Sequence, residues 1–187
     1  MIRLVLIALL VLAGCKKESA EAPLPVELSA EAVGHFCRMD LLEHPGPKAQ
    51  VHLDGLPLPL FFSQVRDALA YARMPEQSHA IRAIYVNDLA LAPSWEEMGT
   101  GNWIAADAAY YVLGSARAGG MGAPETVPFS SRAAAEGFAA REGGRVLRLA
   151  NIPDAALLAP VAGASEAAPD DTEDFRRRLK ALMPSEG

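Results

Sequence analysis

The stretch Leu58-Pro59-Leu60-Phe61-Phe62-Ser63-Gln64-Val65-Arg66-Asp67-Ala68-Leu69-Ala70-Tyr71-Ala72-Arg73 decides the fold. A short apolar run is closed by Ser63, and the residues after it place apolar side chains at helical spacing, so a strand feeds an N-capped helix. Ile81 to Val86 follows as a strand. The same order returns later in the chain. Val127-Pro128-Phe129 is closed by Ser130, a helix-like stretch runs to Arg141, and Arg145 to Leu149 forms a strand after the Gly143-Gly144 stop. At a shift of 67 positions Phe62 falls on Phe129, Ser63 on Ser130, Ala68 on Ala135, Tyr71 on Phe138 and Ala72 on Ala139. Each copy has a candidate strand ahead of it: Ala49 to Leu53, in which Ala49, Val51 and Leu53 alternate with Gln50 and His52, and Ala108 to Leu113. The unit is strand, strand, helix, strand, and it occurs twice. The expected fold is α+β, two small related halves packed together, the first over residues 31–92 and the second over 93–155.

Outside the halves the sequence changes character. Met1-Ile2-Arg3 and the apolar run Leu4 to Ala13 have the layout of a secretory signal peptide over residues 1–14, too short to span a membrane. The run ends in Leu12-Ala13-Gly14-Cys15, which resembles the lipobox of bacterial lipoproteins, so Cys15 is expected to carry lipid. Residues 15–30 are polar and Pro-bearing and read as a flexible tether. Lys16 after the acylated cysteine resembles an outer-membrane sorting signal, giving an outer-membrane lipoprotein that faces the periplasm. Residues 156–187 are Ala-rich and then acidic, with a charged amphipathic helix over Asp171 to Leu182, and read as a solvated tail.

With residues 1–14 removed, 16 basic residues stand against 23 acidic ones. That balance, with no basic stripe, argues against nucleic acid as a partner. Cysteine usage is more decisive. With Cys15 acylated, Cys37 is the single free thiol, so neither an intramolecular disulfide nor a dithiol cycle is available. A lone thiol in an oxidising compartment must be buried, metal-bound or reactive by design.

Cys37-Arg38-Met39 sets a thiol and a thioether at i and i+2, which leave an extended backbone on one face. Gly119-Gly120-Met121-Gly122 holds a methionine in a loop where packing is a poor explanation for it. Thiolate and thioether together are a soft donor set that selects Cu(I) over harder divalent ions. Met121 precedes Phe129 as Asp54 precedes Phe62, and Asp54-Gly55 reads as a turn between strands. Met121 is therefore expected at a strand-to-strand tip, facing Cys37 across the seam between the halves.

The runs just quoted, together with Glu43-His44-Pro45-Gly46-Pro47-Lys48-Ala49-Gln50-Val51, Ile84-Tyr85-Val86-Asn87-Asp88 and Ala123-Pro124-Glu125 with Val127-Pro128-Phe129, resemble the NosL family of lipoprotein copper chaperones. The resemblance runs over about residues 33–152 in the expected order. It implies Cu(I) delivered to the copper centres of nitrous-oxide reductase, a membrane ABC-type maturation complex as docking partner, and a fold similar to the alkylmercury lyase architecture. The family often has Gly between the cysteine and the methionine, where this chain has Arg38.

Four histidines are present. His52 alternates with Val51 and Leu53 and His79 sits in a polar turn, so both read as surface residues. His35 shares the face of Cys37 if that segment is extended. His44, with Glu43 before it and the Pro45-Gly46-Pro47 turn after it, is the better ligand candidate, and Glu125 lies four residues after Met121. Imidazole and carboxylate suit Zn(II), which makes Glu43, His44 and Glu125 candidates for a second, harder metal. The alternative function is a thiol-dependent, lyase-like enzyme with Cys37 as nucleophile. Organomercurial cleavage needs two thiols and thiol hydrolysis needs an oriented general base. Neither is legible, and the reading is a carrier without catalysis.

Overall fold

The structure, a computed structural model, describes residues 21–160 and residue 180. The signal segment, Cys15, the start of the tether, the helix expected over Asp171 to Leu182 apart from Lys180, and most of the acidic tail lie outside the described residues. No helix among the described residues is long and apolar enough to cross a membrane.

The fold is α+β, and the duplicated unit appears in both halves. In the first, β1 (Ala49–Leu53), β2 (Leu60–Phe62), α1 (Val65–Arg73) and β3 (Ile81–Asn87) follow one another. A short strand, β4 (Trp103–Ala105), then completes the sheet in the order β2-β1-β3-β4. In the second half, β5 (Tyr110–Ala118), β6 (Pro124–Phe129), α2 (Arg132–Glu142) and β7 (Arg145–Arg148) give a sheet of order β6-β5-β7. The first strand of each unit is central and pairs antiparallel with both others. A small helix, α3 (Asp154–Leu158), closes the described chain.

Equivalent residues do equivalent work. Phe62 and Phe129 end their strands with 1% and 3% exposure, and Ala68 and Ala135 on the helices are fully buried. Phe62 packs on Tyr71 with ring centroids 5.5 Å apart, and Phe129 on Phe138 at 5.3 Å. Such pairs contribute about 0.5–1.5 kcal/mol beyond the area they bury. Around α1, Val51, Val65, Leu69 and Val86 form one core that also takes Tyr111, Leu113 and Leu147 from the second sheet. On the opposite face of that sheet Val112 and Val127 meet Ala135 and Phe138 of α2.

The copies differ in their hairpins. Ala49 and Tyr110 hold the same place in their sheets, each paired with the last residue of the next strand. Thirteen positions separate Ala49 from Phe62, but nineteen separate Tyr110 from Phe129. The six extra residues lie between Leu113 and Thr126, in an arm made of a β5 bulge before Ala118 and the turn that carries Gly119 to Gly122.

Three boundaries depart from expectation. β4 pairs with β3, Tyr85 opposite Ala105, so the first half extends past residue 92 and the crossover lies between Ala105 and Tyr110. Residues 156–160 belong to the body: Leu157 is 2% exposed, and Arg66 Nη2 on α1 donates to Ala159 O at 2.7 Å. Residues 21–28 are a strap across the outer face of the first sheet. Val26 exchanges two hydrogen bonds with the Gln50 side chain, at 2.8 and 3.0 Å, and Tyr85 Oη donates to Pro23 O at 2.7 Å. The strap also corrects the reading of His52. Its side chain does point away from the α1 core, yet it is 7% exposed, bonded to Gln50 Oε1 at 2.8 Å and set edge-on to the Tyr85 ring. Burial lowers its pKa from the ordinary imidazole value.

Candidate metal centre

Cys37 lies in a closed turn and not in an extended segment. Val33 and Asp40 form an isolated antiparallel bridge, Gly34 N donates to Met39 O, and Arg38 N donates to Gly34 O, both at 2.9 Å. Arg38, between the two sulfur residues, has φ 57°, a left-handed conformation that no other non-glycine residue adopts among those described. The position suits glycine sterically, and arginine holds it at a cost. The Cys37 sulfur folds back over Gly34, where any Cβ would collide with it. Cys37 is half-buried, and Met39 is 42% exposed.

The turn is fastened to the first half by its neighbours. His35 N donates to Phe61 O at 2.6 Å, and the His35 ring packs against Phe36, Phe62 and Tyr71. Burial, and secondarily the charge of Arg38, lowers the His35 pKa. Asp40 Oδ1 then accepts from Leu42 N and starts a 3-10 turn over Leu41–Glu43, with exposed Glu43 last.

Met121 sits at the tip of the β5–β6 hairpin, as expected, and 43% of it is exposed. The tip rests on the other half. A Cβ at Gly120 would lie 2.8 Å from His44 Cβ and 2.9 Å from Ser63 O, so a glycine lets the hairpin close on that surface. Met121 N donates to Gln64 Oε1 at 3.2 Å. The Cys37 turn and the Met121 hairpin are thus anchored on Phe61 and Gln64, three residues apart and within roughly 10 Å of each other.

The platform beneath Gly120 is held by Lys48. Its Nζ donates to His44 O at 2.7 Å, Pro45 O at 3.3 Å and Gly46 O at 2.5 Å, and the residue is 3% exposed. Burial pulls its pKa down to about 8, against the opposing pull of the Glu125 carboxylate. His44 Nε2 is buried with no hydrogen-bond partner, and His44 lines a cavity of about 330 Å³ with Leu28, Leu41, Met98 and Trp103.

Glu125 has a different use from the one expected. It is 1% exposed, and its carboxylate accepts from Val65 N at 3.2 Å, Arg66 N at 2.9 Å and Thr126 N at 2.7 Å. It therefore caps α1 from across the seam, satisfying donors the helix leaves open. Burial pushes its pKa up to about 7 against those three hydrogen bonds. Among the described residues no three His, Cys, Asp or Glu side chains come together to hold a metal ion. The second, harder site expected around Glu43, His44 and Glu125 is not assembled.

Ser63, expected to cap α1, lies one residue before the N-cap position, which Gln64 holds without a side-chain cap hydrogen bond. Gln64 and Lys48 escaped the sequence reading. A signal for Gln64 was present, because the 67-position shift sets it on Ser131, so one copy has a good helix cap where the other does not.

Comparison with known proteins places the chain. The family model for NosL matches residues 25–157. The copper-binding lipoprotein NosL of Achromobacter cycloclastes is 58% identical over 180 residues, 96% of this chain and 93% of that protein. Its namesake from Stutzerimonas stutzeri is 34% identical over 149 residues, 78% and 76% of the two chains. The crystal structure of the copper chaperone NosL from Shewanella denitrificans superposes with a TM-score of 0.66 at 29% identity, covering 72% of this chain and 98% of that one. With the family model spanning most of the sequence and relatives matching on either side of it, the chain belongs to the NosL family.

Proposed function

We propose that this chain is a periplasm-facing lipoprotein of the outer membrane, anchored through Cys15, which carries one Cu(I) ion on Cys37 Sγ, Met39 Sδ and Met121 Sδ. It hands that ion on for assembly of the copper centres of nitrous-oxide reductase, docking on a membrane ABC-type maturation complex. The observation that carries the reading is the pair of methionines left 42% and 43% exposed on two segments anchored three residues apart, on Phe61 of β2 and on Gln64 at the start of α1. Methionines that exposed do not fill a core. A thiolate with two neutral thioethers suits Cu(I), and half-open thioethers let a partner's sulfur or imidazole displace one donor at a time. The names of the relatives, copper-binding lipoprotein and copper chaperone, support carriage over catalysis.

Anaerobic Cu(I) titration of the mature protein, with metal stoichiometry and X-ray absorption, tests the reading. One Cu(I) bound through sulfur is expected. Cys37→Ser should lower affinity by several orders of magnitude, and Met39→Leu or Met121→Leu by less each, because the thiolate supplies the anionic bond. Unchanged affinity in Cys37→Ser refutes the site.

A further inference from the structure

Gln64 stands at the N-cap position of α1 with φ −146° and ψ 146°, yet its side chain makes no cap hydrogen bond. The helix donors beside it, Val65 N and Arg66 N, go instead to Glu125 of the second half. This trans cap frees the Gln64 side chain for another task. Its Oε1 accepts from Met121 N at 3.2 Å, and its amide faces the Asp67 carboxyl, whose pKa burial raises and the Gln64 amide pulls back down. The residue is 2% exposed, and the hairpin closes on it so tightly that a Cβ at Gly119 would lie 2.6 Å from Gln64 Oε1. A primary amide offers an acceptor for a backbone N–H and a donor for a carboxylate at this reach, and it keeps both at any pH. Each half therefore lends the other one side chain: Glu125 finishes the first half's helix, and Gln64 fastens the second half's hairpin tip.

We propose that Gln64 is the positioning residue for Met121, holding the backbone of that residue so that its thioether is delivered to the copper ion. The proposal rests on the reading of Met121 as a ligand. Without the Gln64 bond the six extra hairpin residues lose the one hydrogen bond that Met121's own backbone makes to the first half. The thioether then samples positions away from the metal, and binding weakens by the fraction of time it is displaced.

The test uses the mature lipoprotein in detergent micelles, labelled with [15N]methionine. Gln64→Leu puts in an apolar side chain of similar bulk, adds no sulfur and removes the amide that accepts from Met121 N, whereas the paired variant Gln64→Glu with Asp67→Asn exchanges the donor and acceptor at constant net charge. The Met121 amide should exchange with solvent at least about tenfold faster in Gln64→Leu and return to the wild-type rate in the pair. Cu(I) affinity should fall about tenfold in Gln64→Leu, as in Met121→Leu, with one sulfur fewer by X-ray absorption, and recover in the pair. The double variant Gln64→Leu with Met121→Leu should bind no more weakly than either single, since both act through one ligand. Wild-type amide exchange or wild-type affinity in Gln64→Leu, or losses that add in the double variant, overturns the proposal. If Met121→Leu alone leaves affinity and sulfur count unchanged, the ligand assignment is what fails, and the positioning role goes with it. The exchange-repaired pair keeps the test decisive where Gln64→Leu loosens the fold.

Discussion

The helices α1 and α2 hold matching places in a duplicated unit, and they begin differently. Ser131 Oγ accepts from Ala134 N at 3.4 Å and caps α2 within its own half. Gln64, at the equivalent place, leaves α1 uncapped, and Glu125 of β6 does the work from the other half. The hairpins diverge in the same region, the second being longer by the residues that carry Met121. Both copies keep the aromatic pair between strand end and helix. The halves have thus kept the interior that makes each unit fold and have become unequal along the surface where they meet. The sulfur-bearing hairpin lies on that surface.

The sharpest way to break this contrast is to remove the trans cap. Glu125→Ala leaves the amides of Val65, Arg66 and Thr126 without that acceptor in the seam between the halves. Unfolding free energy in urea should drop by about 3–5 kcal/mol, since each stranded buried donor costs roughly 1–3 kcal/mol. A loss below about 1 kcal/mol, the ordinary worth of a surface cap, would erase the distinction between the two helices.

The carboxyl also imposes a pH dependence on the first helix alone. With its pKa pushed up to about 7, folded Glu125 keeps its proton over a range where the unfolded chain has already released it. Its contribution is complete below the ordinary carboxyl value and declines as pH rises toward 7, by an amount on the order of 3 kcal/mol over the whole interval. Urea unfolding between pH 4 and pH 8, chosen to bracket roughly that interval, should show the decline, and Glu125→Gln should flatten it. Parallel curves for the two proteins would mean that the three amide donors keep the carboxylate ionised throughout.

Ser131→Ala, the matching lesion in the second half, should cost only about 1 kcal/mol and leave the Met121 amide exchange rate as it was. A smaller effect belongs to the Cys37 turn, which has no counterpart in the second unit. Arg38→Gly relieves a left-handed residue worth roughly 1–2 kcal/mol and adds chain entropy worth about 0.5–1 kcal/mol to the unfolded state. A gain of about 0.5 kcal/mol in thermal or urea stability is expected, and a loss would mean that the Arg38 side chain holds the turn.

Much of the fold was legible because it was written twice. Phe62 and Phe129, with Tyr71 and Phe138 nine positions after each, announce a strand end and a helix face on their own. β4 was not legible, because three residues carry no period. The strap was hidden for another reason: Val26 binds through its backbone to a glutamine side chain, and neither partner stands out in a hydropathy pattern. His52 was read correctly for direction and wrongly for exposure, since alternation reports which face a side chain takes and not what covers that face. At the candidate site the sulfur residues were visible by type and spacing. The backbone that presents them was not, because nothing in Cys37-Arg38-Met39 signals a left-handed arginine. Glu125 looked like a ligand because a carboxylate near a methionine is ambiguous until the amides of Val65 and Arg66, 60 and 59 positions away, are seen to claim it.

The lysine that closes the His44–Gly46 turn bears on how fast the proposed cargo can come and go. Three backbone carbonyls converge on Lys48 Nζ, so the protein fills that crown with a cation of its own and braces the turn without any metal. On the proposed ligand set, little ordering of the turn beneath the Met121 hairpin would be left for the moment of capture. The entropy lost on binding would fall chiefly on the side chains of Cys37, Met39 and Met121, at most roughly 1.5–2 kcal/mol for each methionine. Loading and unloading would then turn a few side-chain rotors and leave that turn as it is, and a small heat-capacity change of binding is the expected signature.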